Sequence, residues 1–206
     1  MYNFTFNIPT KIHFGKDTIS NLPELKAYGS KVLLVYGGGS IKKNGLYDTA
    51  MKILKDAGLT VFELSGVEPN PKIETVRKGV EICKNEGIDM VLAIGGGSTI
   101  DCSKVVAAGA KYDGDAWDLV LDGSKVKAAL PIFDVLTLSA TGTEMDPFAV
   151  ISDMSKNEKW GTGSPYMVPT MSILNPEYTF SVSKKQTAAG TADMMSHTME
   201  NYFSME

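Results

Sequence analysis

The sequence is poor in arginine, cysteine and histidine. Only one of its 20 basic residues is an arginine, Arg77, so a bidentate guanidinium clamp on phosphate is mostly unavailable and an anion site must use backbone N–H groups, hydroxyls or lysine. Two cysteines, Cys83 and Cys102, do not make a disulfide framework in a chain of 206 residues, which favours a reducing compartment. Two histidines, His13 and His197, cannot complete a histidine-rich metal site.

The sequence also lacks net positive charge and long apolar runs. A net charge of −4 argues against broad electrostatic binding to nucleic acid or anionic membrane, since such binding needs a clustered positive field. The longest uncharged run, residues 160–176, is interrupted by glycine and proline and cannot form a spanning helix. The N-terminus has neither a basic start nor an apolar block, so no secretory signal is visible. We expect a soluble, cytoplasmic protein without nucleic-acid or membrane partners.

Apolar runs of strand length alternate with amphipathic stretches, a pattern typical of an α/β fold with a parallel sheet. The predicted strands are 31–36, 60–64, 90–94, 135–138, 149–152 and 171–174, with helices over 46–57, from Pro71 to Gly87 and over 103–110. The polar stretch 112–129 is predicted to be a long surface connection.

A strand followed by three glycines, a serine and a helix occurs twice, at Gly37–Ser40 and at Gly95–Ser98. Such a turn exposes backbone N–H groups at the positive end of a helix dipole, which can hold phosphate, although a tight structural turn is the alternative. Neither copy satisfies the G-x-G-x-x-G fingerprint, because Lys42 and Ile100 stand where its last glycine would be. Neither is a P-loop, since no Gly-Lys-Ser/Thr follows.

The spacing Ser-x-x-Gln at 183–186 is a capping box and predicts a helix that begins there and continues past His197. On that helix Asp193 and His197 are four residues apart, so both side chains lie on one face and could bind one divalent ion. A solvated pair is the ordinary alternative. His13 lies in an alternating segment and is predicted to be a surface strand residue.

Six segments together resemble the iron-containing alcohol dehydrogenases, in particular their NADPH-dependent butanol dehydrogenases and aldehyde reductases. They are GGGS at 37–40, EPNP at 68–71, AIGGGSTIDCSK at 93–104, TLSATGTE at 137–144, Lys159 and GTADMMSHTMENY at 190–202. The resemblance covers essentially the whole chain. It implies an α/β dinucleotide-binding domain over residues 1–181, then the first helix, 182–206, of a truncated all-helical metal-binding domain.

By resemblance, the nicotinamide cofactor is bound by residues along the whole α/β domain. Gly95, Gly96, Gly97 and Ser98 are expected to hold the pyrophosphate, and Asn70 to lie near the adenosine ribose. The nicotinamide and its ribose are expected to contact Asp101, Thr137, Leu138, Thr141 and Lys159. NAD-preferring relatives carry an acid where this chain has Gly38. Because Gly38, Gly39 and Ser40 can accommodate a 2′-phosphate that a carboxylate would repel, the expected cofactor is NADP(H).

The resemblance further implies a divalent metal, Fe(II) or Zn(II), that polarises the oxygen of an alcohol or aldehyde substrate. Asp193 and His197 match its first two ligands and are the expected catalytic residues. The other two ligands would be histidines of the later domain, so the 206-residue chain is expected to turn over little, and the full-length form to be a homodimer. The alternatives are a glycerol-dehydrogenase-like or dehydroquinate-synthase-like enzyme, or a nucleotide-binding module without turnover.

Overall fold

A computed structural model describes residues 3, 5 and 7–204. Six strands form a parallel sheet in the order β1-β8-β5-β4-β2-β3, and β6 and β7 form a separate antiparallel hairpin. The strands are β1 (Lys11–Phe14), β2 (Lys31–Tyr36), β3 (Thr60–Leu64), β4 (Met90–Gly95), β5 (Ile132–Leu136), β6 (Phe148–Asp153), β7 (Glu158–Gly163) and β8 (Met171–Leu174). The α-helices are α1 (Ser40–Lys43), α2 (Leu46–Asp56), α3 (Ile73–Glu86), α4 (Gly97–Gly109), α5 (Ala116–Leu121) and α6 (Lys184–Phe203). The α/β fold with a parallel sheet is confirmed.

Helices cover both faces of the sheet, so its central strands are apolar on both sides. Leu33 and Val91 face a core that includes α3 and α4, while the alternate residues Leu34 and Leu92 face the core that includes α2. The chain therefore goes to one face after β2 and to the other face after β3 and β4. The strand order reverses at the boundary between β2 and β4. In open α/β sheets this switch point, at the carboxyl ends of the strands, is where ligands bind.

The prediction that 112–129 is a long surface connection was wrong. The segment contains α5, whose residues Ala116, Trp117, Leu119 and Val120 are buried. Asp115 begins the helix by accepting a hydrogen bond from the Trp117 amide, and its carboxylate also pairs with Arg77 of α3 at 2.8 Å. A helix of six residues is too short to show a clear period in the sequence, and it is held by its burial against α3 and α4.

The structure also differs from the prediction at α4, β5 and β7. Helix α4 begins at Gly97 rather than at residue 103, because the glycine turn itself forms its first turn. Strand β5 begins and ends earlier than the predicted 135–138. Strand β7 was not predicted, since its sequence EKWGTG is polar and half exposed and takes its partners from β6. His13 lies on β1 as predicted, half-buried, with Nε2 3.2 Å from Glu24.

The helix start predicted at 183–186 is confirmed, since Ser183 is the N-cap of the helix and its side chain accepts a hydrogen bond from the Gln186 amide at 3.2 Å. The long helix α6 that follows has no buried side chain, and Met195, Met199 and Phe203 on its apolar positions are exposed. None of the helices among the described residues combines the length and the apolar composition needed to cross a bilayer.

Candidate functional site

The structure brings the two glycine turns together. Strands β2 and β4 are parallel neighbours, with Tyr36 paired to Ile94, so the turns that follow them emerge side by side at the switch point. Both turns lead directly into helices, α1 and α4. The two copies of the pattern therefore lie next to each other and form the two sides of one candidate site.

The second turn is tightly enclosed on one side. A Cβ on Gly96 would lie 3.2 Å from Leu138 Cβ, and one on Gly97 would lie 3.3 Å from Thr141 Oγ1. On its other side the turn is open, because Gly96, Gly97 and Ser98 are only half-buried. Gly97 and Ser98 are the first residues of α4, so their amides have no carbonyl acceptor within the helix. These amides face outward at the positive end of the helix dipole and suit an anion.

The first turn is more open. A Cβ on Gly38 would meet no atom within 4 Å, whereas Gly39 has φ 102°, a conformation that favours glycine. Beside the turn, the Lys42 ammonium lies 4.5 Å from the centroid of the Tyr47 ring. Glu63 on β3 accepts hydrogen bonds from the hydroxyls of Tyr36 and Tyr47, at 2.7 and 2.8 Å. The Glu63 carboxylate, on the strand that neighbours β2, is thus held by both tyrosine hydroxyls.

The segment after β5, residues 137–144, covers the second turn. The Thr137 amide donates to the Gly95 carbonyl at 2.9 Å, which extends the pairing of β5 with β4 by one bond. Leu138 and Thr141 then lie against Gly96 and Gly97, as described above. The resemblance assigned Thr137, Leu138 and Thr141 to the nicotinamide and its ribose; in the structure all three lie beside the second glycine turn.

Asp101 on α4 is already engaged by the protein. Its Oδ1 accepts a hydrogen bond from the Thr143 hydroxyl at 2.7 Å, and its Oδ2 accepts one from the Val150 amide at 3.0 Å. Burial raises the pKa of the Asp101 carboxyl, while these two hydrogen bonds oppose the rise. The geometry therefore gives Asp101 a role in fixing the segment 143–150 beside the glycine turn.

Asn70 and Lys159 are in direct contact. The Lys159 ammonium donates to Asn70 Oδ1 at 2.7 Å, and both residues are exposed. The contact is supported by the backbone, because the Ser152 amide of the hairpin donates to the Pro71 carbonyl at 2.9 Å. The resemblance assigned Asn70 to the adenosine ribose and Lys159 to the nicotinamide side, and the structure joins the two residues in one hydrogen-bonded pair.

A cleft of about 220 Å³ separates the 137–144 segment from α6. Leu138, Ser139 and Ala140 line one wall, and Gln186, Thr187, Gly190 and Asp193 line the other. Asp193 therefore faces the segment that covers the glycine turn, although the two are about fifty residues apart in sequence.

Asp193 and His197 lie on one face of α6, with His197 Nε2 3.8 Å from Asp193 Oδ1, and both side chains are largely exposed. A carboxylate oxygen and an imidazole nitrogen form a donor set that iron and zinc both accept. Within the described part of the chain, no group of three or more histidine, cysteine, aspartate or glutamate side chains could hold a metal. The described residues thus offer two donors from one helix.

Sequence reasoning missed two buried charged residues near the site, Lys104 and Asp134, because charged residues are normally read as exposed. Lys104, on α4, has no exposed surface. Asp134, on β5, is equally buried, and its Oδ1 has no hydrogen-bond partner among the described residues. Ser172 Oγ lies 2.6 Å from Asp134 Oδ2 and 2.7 Å from the Glu144 carbonyl. One hydroxyl hydrogen cannot serve both acceptors, so a protonated Asp134 that donates to Ser172, whose hydroxyl then donates to the Glu144 carbonyl, accounts for both short distances.

Asp134→Asn is expected to flatten the pH dependence of stability. Burial raises the pKa of Asp134 well above its usual value, so the folded state keeps a proton that the unfolded chain loses above pH about 3.9. The wild type therefore loses up to about 1.4 kcal/mol per pH unit as the pH rises toward the folded pKa, and the variant does not. Urea unfolding at pH 5 and pH 8 measures this. An equal stability difference between the two proteins at both pH values would contradict it.

The fold and the site define an α/β protein of the dinucleotide-binding class. Residues 9–176 match the iron-containing alcohol dehydrogenase family. Over 205 residues the chain is 62% identical to NADH-dependent butanol dehydrogenase A of Clostridium acetobutylicum, covering 99% of this chain and 53% of that protein. It is 40% identical to the NADPH-dependent aldehyde reductase YqhD of Escherichia coli, covering 98% of this chain and 52% of the relative.

A solved structure, that of NADH-dependent butanol dehydrogenase A from Thermotoga maritima, superposes with a TM-score of 0.94 at 49% identity, over 98% of this chain and 52% of that one. The chain belongs to the iron-containing alcohol dehydrogenase family, which confirms the resemblance read from its motifs. It spans about half the length of the curated relatives it matches.

Proposed function

We propose that this chain is the cofactor-binding part of an oxidoreductase that transfers hydride between a nicotinamide dinucleotide and a primary alcohol or aldehyde such as butanol or butanal. The observation that carries the proposal is an arrangement at one edge of the sheet. The two glycine turns emerge side by side, the 137–144 segment lies against the second turn, and the same segment shares a cleft with Asp193. Family membership and the names of the butanol dehydrogenase relatives support it.

The residues present fit a dinucleotide. The outward amides of Gly97 and Ser98 would hold the pyrophosphate, and the absence of a side chain at Gly96 leaves room for the segment that covers it. Thr137, Leu138 and Thr141 would orient the nicotinamide and exclude water from it. Asn70 and Lys159 would bind at the rim, and Asp101 would act by fixing the covering segment.

For the adenosine end we propose a preference for NADP(H). Gly38 leaves open space, no carboxylate stands in the turn from Gly37 to Ser40, and the nearby Glu63 is held by two tyrosine hydroxyls. The turn can thus receive a 2′-phosphate on backbone amides and the Ser40 hydroxyl. The competing candidate is NAD(H), which the names of the relatives at 55–62% identity favour, while the relative at 40% is named for NADPH.

For the metal we propose that Asp193 and His197 are two of its ligands. When bound, a divalent ion there would polarise the substrate oxygen and stabilise the charge that develops on it during hydride transfer. Asp193 is the residue that faces the cleft, so it would set the ion's distance from the covering segment. His197, one helical turn further, would complete the pair through Nε2.

The double change Asp193→Asn and His197→Gln is expected to remove most of the affinity of the chain for Co²⁺ or Zn²⁺, because it removes the charged oxygen and the imidazole donor together. Calorimetric titration, or the visible absorption of bound Co²⁺, measures the loss. Glu200→Gln serves as the matched control, since Glu200 is also on α6 and its Oε2 is 4.0 Å from His197 Nδ1. Equal metal affinity in the double variant and the wild type would contradict the assignment.

The proposed function is tested by titrating the purified chain with NADPH and with NADH while the fluorescence of the reduced nicotinamide is followed. We expect saturable binding, tighter for NADPH, and little alcohol oxidation, because the described residues supply only two metal donors. No saturable binding of either cofactor would overturn the proposal. Binding without turnover also fits the second candidate, a nucleotide-binding module, which is rejected if the protein extended to the length of its relatives oxidises butanol.

We also propose that the α/β part ends near residue 181. The exposed α6, which buries none of its side chains on the α/β part, supports a separate helical unit beginning near residue 182. A homodimeric full-length form and a cytoplasmic location stay predictions.

A further inference from the structure

A buried charge anchors the segment that covers the glycine turn. The Lys104 ammonium lies 2.8 Å from Thr143 Oγ1, 2.9 Å from Asp146 Oδ1 and 2.8 Å from each of the carbonyls of Asp146 and Phe148. All four acceptors belong to residues 143–148, which begin at the end of the covering segment. Lys104 lies on α4, three residues after Asp101, which also accepts a hydrogen bond from Thr143. The segment is therefore attached to the helix that begins with the glycine turn.

The attachment is strong because the ammonium has no access to water. An isolated buried charge is costly, and removing one partner of a buried pair leaves the other uncompensated. Burial lowers the pKa of Lys104, while its contacts with Asp146 oppose the fall and favour the charged form. Any displacement of residues 143–148 would strip the ammonium of its acceptors, so the segment has one favoured position.

Thr143 connects this anchor to Asp101. Its hydroxyl accepts from Lys104 at 2.8 Å and donates to Asp101 Oδ1 at 2.7 Å, so one side chain serves two charged groups of α4. Thr143 Cγ2 also lies 3.7 Å from the position of a Cβ on Gly97. The threonine is thus both the end of the covering segment and a neighbour of the turn.

The covering segment is held at both ends. At its start the Thr137 amide donates to the Gly95 carbonyl, and at its end Thr143 is held by α4. Between them lies Gly142, with φ 80°. The position of Leu138 and Thr141 over the turn therefore depends on the anchor at Thr143.

We propose that Lys104 and Thr143 are positioning residues for the dinucleotide, which hold the segment 137–142 at the distance from Gly96 and Gly97 that lets it cover the nicotinamide half. The inference rests on the proposed function. Neither residue touches the ligand in this assignment. Both act through Leu138 and Thr141.

The test compares Thr143→Val, which keeps the shape but removes the hydroxyl, with Thr143→Ser, which keeps the hydroxyl. We expect the Kd for NADPH to rise about tenfold in the valine variant and to stay within about twofold of wild type in the serine variant. The Kd for adenosine 2′-monophosphate should not change in either, because that ligand has no nicotinamide half. Amide hydrogen exchange of residues 137–148 without ligand should be faster in the valine variant alone.

The outcomes separate this inference from the proposed function. If the wild type binds NADPH, and the valine and serine variants have equal affinities for NADPH and equal rates of amide exchange, the positioning role alone is overturned. A variant that loses affinity for NADPH and for adenosine 2′-monophosphate to the same extent also overturns the positioning role, since such a loss indicates general damage to the binding site. Wild type that binds no dinucleotide overturns the proposed function and this inference with it.

Discussion

Gly96→Val is expected to weaken dinucleotide binding about tenfold or more, with Gly96→Ala intermediate. A Cβ at residue 96 would lie 3.2 Å from Leu138 Cβ, and a Cβ cannot rotate away, so the covering segment must move. The branched side chain of valine adds two more carbon atoms beside Leu138, so it displaces the covering segment further than alanine does. That displacement acts on the proposed ligand site, whereas overpacking costs the fold only about 1–3 kcal/mol.

The measurement is the Kd of NADPH from nicotinamide fluorescence, with urea unfolding to confirm that the variant is folded. Gly161→Ala is a matched control, because a Cβ there meets only Val150 Cγ2, at 4.0 Å, on the hairpin outside the turn. It should bind NADPH as the wild type does. An unchanged NADPH affinity in Gly96→Val would show that the ligand does not lie on this turn.

Gly38→Asp is expected to reverse the cofactor preference, lowering affinity for NADPH about tenfold or more while leaving NADH binding equal or improved. The new side chain has open space and no positive φ to overcome, so the fold should accept it. Its carboxylate would stand beside the 2′-phosphate of NADPH. Two like charges at about 4 Å repel by about 1 kcal/mol in water and by more in a partly buried site, and about 1.4 kcal/mol is tenfold in affinity.

Gly38→Asn separates charge from size, because asparagine has the shape of aspartate without its charge. We expect it to keep most of the preference for NADPH. The measurement is the ratio of the Kd for NADPH to the Kd for NADH in each variant. The ionic strength is kept fixed because salt screens the repulsion. An unchanged ratio in Gly38→Asp would place the 2′-phosphate elsewhere, and a wild type that already prefers NADH would favour the competing assignment.

Much of the sheet could be predicted because its signals are local. The runs at 31–36, 60–64 and 171–174 match β2, β3 and β8 in both boundaries. Strand β2 shows the clearest signal, since a central strand covered by helices on both faces is a nearly continuous apolar run. Gly87 ends α3 with φ 62°, as its position after the amphipathic stretch indicated. The capping box at Ser183 predicted the start of α6 for the same reason, because the cap is a contact between neighbours in sequence.

The errors fall where a segment takes its conformation from distant partners. Helix α5 depends on the burial of Trp117 and on Arg77, which lies 38 residues from Asp115. The extended conformation of β7 depends on its antiparallel pairing with β6. Lys104 and Asp134 looked like surface residues, because a sequence gives no sign that a charged side chain will find acceptors 39 or more residues away, as Lys104 does with Thr143.

The sequence by itself determined the fold class, the two glycine turns and the pair Asp193 and His197, because each depends on residues close together along the chain. Tertiary structure alone decided that the turns form one site, that Asp193 faces residues 138–140 and that Thr143 is held by a buried ammonium. The physical reason is that strand order and the desolvation of a charge depend on which segments pack together, and local sequence does not carry that information.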